Sequence, residues 1–159
     1  MKEVHIVDHT ILLSKIDVEP WSDRREKVLE KFKEAISAGE INYYLPLSSI
    51  IVAGAIVASI ENEGKRAEAN RSFSYELETV LAGDSPWTYF GYRTDISPYL
   101  QGDFLKIIRK IRRDPDLELS SQLVIEEWRI AAQLHRQSRV KIFSLDPGME
   151  KIDTAIMRP

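Results

Sequence analysis

The sequence predicts a three-layer α/β/α fold around a mostly parallel sheet, on three observations. The runs "EVHIV", "INYYLPL" and "RVKIFSLD" are short, apolar and rich in β-branched or aromatic residues, as strands covered on both faces are. Segments of helical periodicity separate these runs, and strands alternating with helices favour parallel pairing. The 159 residues, 43% hydrophobic and 30% charged, match one ordinary globular domain, taken as 1–159.

The first strand, residues 3–7, runs into "DHTILL", where an apolar run stops at Asp8 before His9 and Thr10. "VEPWSDRREKVLEKFKEAISAGE" follows as a helix, with Ser22 expected at its N-cap and Gly39 at its end. Val28, Leu29, Phe32, Ala35 and Ile36 form its inward stripe. "INYYLPL" is the second strand. "SSIIVAGAIVASIE" is expected to be a Ser-capped helix, apolar all round and therefore central.

Residues 62–81 are polar and weakly helical, with Phe73, Tyr75, Leu77 and Val80 as their main apolar side chains. "AGDSPWTYFGYRTDISP" reads as an irregular loop, and "YLQGDFLKIIRKIRRDPD" as a short helix ending before Pro115. "LELSSQLVIEEWRIAAQLHRQ" is a longer helix, and residues 139–146 are a last strand ending in Asp146.

Composition excludes several functions. The chain has no cysteine, so disulfides and thiolate metal sites are out and a reducing, cytoplasmic setting is expected. A formal net charge of -3 offers no global attraction to nucleic acid, which leaves only a local patch to bind it. "MKEVHIVDHT" does not have the pattern of a signal peptide. Residues 41–60 are uncharged over the length of a membrane span, but Pro46 breaks a continuous helix there, so no membrane association is expected.

Two apolar strands end in acids, Asp8 and Asp146. Ligands of open parallel sheets bind outside the carboxyl ends of the strands, and paired carboxylates there suit a hard cation such as Mg²⁺ or Mn²⁺. A third acid follows from helical geometry. On a wheel of residues 119–137, Gln122, Glu126, Arg129, Gln133, Arg136 and Gln137 share a polar arc. Glu127 falls instead among Leu123, Ile130, Ala131 and Leu134, where it needs either a structural partner or a site.

A polyanion surface is expected at "DFLKIIRKIRRDP". Lys106, Arg109, Lys110 and Arg113 lie on one helical face, opposite Phe104, Leu105, Ile108 and Ile111. Such a face either binds RNA phosphates or is simply solvated. Trp87, Tyr89, Phe90 and Tyr92 precede it, as stacking platforms or as a small satellite core.

These blocks resemble PIN domains. "IVDHTILL" is similar to their opening strand and turn, "LPLSSIIVAGAIV" to the second strand and its helix, and "EWRIAAQLHRQSRVKIFSLD" to the closing block. The resemblance implies a Mg²⁺- or Mn²⁺-dependent ribonuclease, of a family in which many members are toxins paired with an antitoxin. It assigns catalysis and metal binding to Asp8, Glu127 and Asp146, with Thr10 and Ser144 as supporting hydroxyls. It also implies a protein partner such as an antitoxin, and is compatible with a homodimer. Two departures stand out. The family's second acid should fall near Ala53 or Gly54, where nothing ionises, and its third is usually an Asp near a helix N-terminus rather than Glu127. The alternatives are therefore a metal-dependent nuclease, a catalytically degenerate RNA- or protein-binding module, or an interaction subunit.

Overall fold

A computed structural model describes residues 3–39, 41–85, 87–90 and 119–149. The expected helix carrying Lys106, Arg109, Lys110 and Arg113 lies outside the described residues, as does Tyr92.

Among the described residues, four parallel strands form one sheet in the order β3-β2-β1-β4. They are β1 (Glu3–Val7), β2 (Ile41–Pro46), β3 (Trp87–Phe90) and β4 (Arg139–Phe143). The helices are α1 (His9–Lys15), α2 (Arg25–Ala38), α3 (Leu47–Ala58), α4 (Glu63–Ala82) and α5 (Leu119–Leu134). β1 is central and registers Val7 against Phe143 of β4, which brings the carboxyl ends of the two strands together.

Strand alternation divides the core in two, because successive side chains point to opposite faces. Val7, Tyr43, Leu45, Trp87 and Phe143 face the layer of α1 to α4. Val4, Ile6, Val140 and Ile142 face α5, against Val124, Ile125, Trp128 and Ala131. Helices on both sheet faces make the expected three-layer α/β/α fold.

Several local expectations change. Ser22 is not an α-helical N-cap. It sits inside a 3-10 turn, Trp21–Arg24, and α2 begins after it at Arg25. Gly39 does end α2, at a φ of 63° that an L side chain adopts only at a cost. Ile36 is exposed rather than inward, because only the Val28–Phe32–Ala35 side of α2 reaches the sheet.

α3 has no side-chain cap, since its N-cap residue is Pro46; Ser48 and Ser49 lie within the first turn and bond elsewhere. Nor is α3 buried all round. Ala53 and Val57 enter the core, while Ile51, Ala55 and Ala58 form an exposed strip, the one side of the helix left uncovered by α1, α4 and α5. Residues 63–82 form a full helix, started by Asn62 Oδ1 accepting from the Lys65 amide and ended at left-handed Gly83. The segment expected as an irregular loop contains β3, whose Trp87 is buried against Phe32. Parallel pairing to β2 decides that outcome, and it outweighs the local Gly and Pro content. No helix among the described residues is long and apolar enough to cross a membrane.

Candidate functional site at the carboxyl ends of the strands

Asp8 directly follows β1 and serves as the N-cap residue of α1, in extended backbone conformation. Its amide donates to Phe143 O of β4 at 2.9 Å, so both the strand pairing and the turn fix its position. Its carboxylate does not cap the helix. Thr10 Oγ1 and Ser144 Oγ each donate to Oδ2 at 2.7 Å. His9 Nδ1 lies 2.7 Å from Oδ1, and an ionised carboxylate can only accept, so Nδ1 carries the proton.

Each hydroxyl works twice. Thr10 Oγ1 accepts the Leu145 amide and Ser144 Oγ accepts the Asp146 amide, both at 3.0 Å. The group thereby ties the end of β1 to the segment that leaves β4. Asp8 is only 1% exposed. Burial pushes its carboxyl upward, but the hydrogen bond and charge of His9, then the bonds from Ser144 and Thr10, outweigh it and hold the pKa below its ordinary value.

Glu127 is buried on α5, as the helical wheel required. Ser48 Oγ donates to its Oε2 from the first turn of α3. The polar arc of α5 is corrected in part. Gln122 and Glu126 are buried as well, Glu126 pairs with Arg129, and Leu134 is exposed instead of inward. A wheel treats a helix as having one covered side, whereas α5 also meets α3.

Asp146 lies three residues beyond β4 and is half-buried. Its Oδ1 accepts the Gly148 amide at 2.8 Å, and its carbonyl accepts the Met149 amide. It therefore organises the turn that follows. Ala53, at the place of the family's second acid, is 0% exposed and sits in the apolar core with Leu12 and Val57. Among the described residues there is no group of three or more His, Asp or Glu that could hold a metal ion.

Sequence reasoning missed the role of Ser48, which reads as a helix cap until the approach of α3 to α5 reveals its bond to Glu127. His9, whose place beside Asp8 lets it either join the site or simply pack, is the neighbour that holds Asp8 ionised. The signal was present in the adjacent letters "DH", but adjacency alone does not say that two side chains meet. His5 and His135 are packed, His5 edge-on to Tyr43 and His135 stacked on Tyr44.

A separate cleft of about 570 Å³ opens between the α1–α2 connection and α4, lined by Lys15, Asp17, Arg25, Glu68, Tyr75 and Glu76 among others. None of the strand-end acids lines it. Its Lys15–Glu76 ion pair is largely buried and Lys15 also covers the Trp87 ring, so its wall is built as part of the fold.

No family model matches the chain, and neither the curated proteins nor the solved structures compared with it give a significant match.

Proposed function

We propose that the chain is a PIN-like RNA-binding module in which the strand-end acids have become structural groups. The observation that carries this reading is the state of Asp8. Three side-chain donors occupy its two oxygens, leaving about one of roughly four lone-pair directions free. Glu127 is likewise engaged by Ser48 and Asp146 by Gly148. Ala53 lies in the apolar core, so the position of the family's second acid supplies no ligand. RNA is chosen as the ligand from the sequence, because Lys106, Arg109, Lys110 and Arg113 share one face in an otherwise acidic chain.

The test is fluorescence anisotropy with labelled single-stranded RNA in EDTA. Binding should persist without divalent metal and weaken as salt rises. The Lys110→Ala/Arg113→Ala double variant should bind more weakly and show a shallower salt dependence. Loss of all binding in EDTA would sink the reading.

A second reading is favoured by one observation of its own. Asp8 is held ionised at the carboxyl end of β1, beside the segment of β4 that carries Asp146. On that reading the protein is a Mg²⁺- or Mn²⁺-dependent ribonuclease with Asp8, Glu127 and Asp146 as ligands, the metal activating the attacking water. Asp146→Asn should then abolish metal-dependent cleavage while RNA binding survives.

A further inference from the structure

The cleft beside α4 holds polar groups that the fold leaves unused. Two ion pairs clasp its walls together. Lys15, at the end of α1, pairs with Glu76 of α4, and Lys65 of α4 meets Glu19 of the α1–α2 connection at 3.2 Å. Between these clasps α4 turns Glu68, Ala69, Ser72 and Tyr75 towards the cleft, at the three- and four-residue spacing of one helical face. Asp17 stands on the opposite wall. Neither Asp17 nor Glu68 has a side-chain partner among the described residues. The third cation of the cleft, Arg25, gives its Nε proton to Lys15 O at 3.1 Å, and the acids outnumber the cations by one.

Glu76 supplies an independent sign of a ligand. Its side chain is only 8% exposed, and both donors to it, Lys15 Nζ and Ser85 Oγ, go to Oε1. Oε2 accepts from no described residue, yet it is not sealed from solvent, so the side from which it is reached is the cleft. A buried carboxylate oxygen without a donor is costly, and a ligand that brings one relieves the cost. Lys15 already balances the charge of Glu76, so the donor that suits Oε2 is a neutral O–H. The unpaired Asp17 and Glu68 suit a cation instead. Eight residues of helix separate Glu68 from Glu76, about 12 Å along the axis. Between them the buried Ile16, Val18 and Ala69 give an apolar floor, and Tyr75 offers a largely exposed ring.

We propose that this cleft binds a small arylalkylamine, with its ammonium between Asp17 and Glu68 and a hydroxyl at its far end donating to Glu76 Oε2. The ring lies on the apolar floor beside Tyr75, whose face suits an aromatic neighbour. The volume of about 570 Å³ is that of a small-molecule site. Each end of the ligand meets a group that the fold leaves unsatisfied, and the body meets surface that water covers poorly. None of the strand-end acids lines the cleft, so the site is independent of the RNA-binding reading.

The experiment is calorimetric titration of the full chain at physiological salt with tyramine, which carries the ammonium, the ring and the hydroxyl. Tyramine should bind saturably, one per chain. Phenethylamine, which lacks the hydroxyl, should bind about tenfold more weakly, as should p-cresol, which lacks the ammonium. Glu68→Gln and Asp17→Asn should each weaken tyramine by about threefold to fivefold, the range of an exposed charge pair. Both variants should melt as wild type does, since Glu68 is exposed and Asn tolerates the positive φ of 67° at Asp17. If one melts lower, the three ligands on wild type still decide the question. Glu30→Gln, an exposed acid of α2 outside the cleft, should change nothing. Absence of saturable tyramine binding overturns the inference. So does an equal loss in Glu30→Gln, which would mean general attraction to an acidic chain. Phenethylamine binding as tightly as tyramine overturns the role given to Glu76, and undiminished binding in the Asp17→Asn/Glu68→Gln double variant overturns the site.

Discussion

Ser48 donates its hydroxyl proton to the buried carboxylate of Glu127, joining the first turn of α3 to α5 on the other face of the sheet. The bond lies at the carboxyl end of the sheet, where α3 and α5 come into direct contact.

Ser48→Ala should therefore lower stability although it removes only one oxygen. A buried carboxylate that loses a donor costs about 1–3 kcal/mol. Urea denaturation of the two proteins measures the difference. Equal midpoints would show that the bond contributes nothing net.

Asp8→Ala should cost more, about 3–5 kcal/mol, because His9, Thr10 and Ser144 all lose their acceptor in a buried setting. The pH dependence has a definite sign. The folded pKa of Asp8 lies below the ordinary 3.8, so the unfolded chain binds the proton first. Its stabilisation is present above that ordinary value and is lost as pH falls through the folded one. Acid titration followed by circular dichroism should show Asp8→Asn losing less stability than wild type below about pH 4.

His5 gives a second pH dependence, nearer neutrality. Burial lowers its pKa from 6.5, ahead of the opposing bond to Glu3, while Lys141 and Lys31 add to the lowering. Between the folded value and 6.5 the unfolded chain holds more protons, so stability rises with pH across that window and falls as the solution is acidified. Thermal melts from pH 7.5 to pH 5.5 should show a decline that His5→Gln reduces. An unchanged decline in the variant would assign it to other groups.

Ala53→Glu tests whether the family's second acid can be restored. The side chain would enter the core beside Leu12 and Val57 as a charge without a partner. The cost should be about 3 kcal/mol or more. A variant that folds at wild-type stability, and is stabilised further by Mn²⁺, would instead support the metal reading.

Much of the fold was legible because periodicity is a local property. Short apolar, β-branched or aromatic runs marked β1, β2 and β4, helical spacing marked α2 and α5, and Gly39 marked a helix end that needs positive φ. Glu127 was legible for the same reason: a carboxylate on an apolar face has to meet something. The partner it meets is not local. Ser48 is 79 residues away, and nothing in either segment names the other.

The sequence by itself determined which residues are strands, which faces are apolar, and that Asp8 lies at the tip of a buried strand. Only the tertiary structure decided that Trp87 begins a strand, since its pairing surface belongs to β2. Only the tertiary structure decided what the acids do. Asp8 carries Thr10, Ser144 and His9, Glu127 carries Ser48, and Asp146 holds its own turn. The physical reason is that a carboxylate's role depends on the donors within about 3 Å of it. Chain order supplies the near neighbours, and packing supplies the rest.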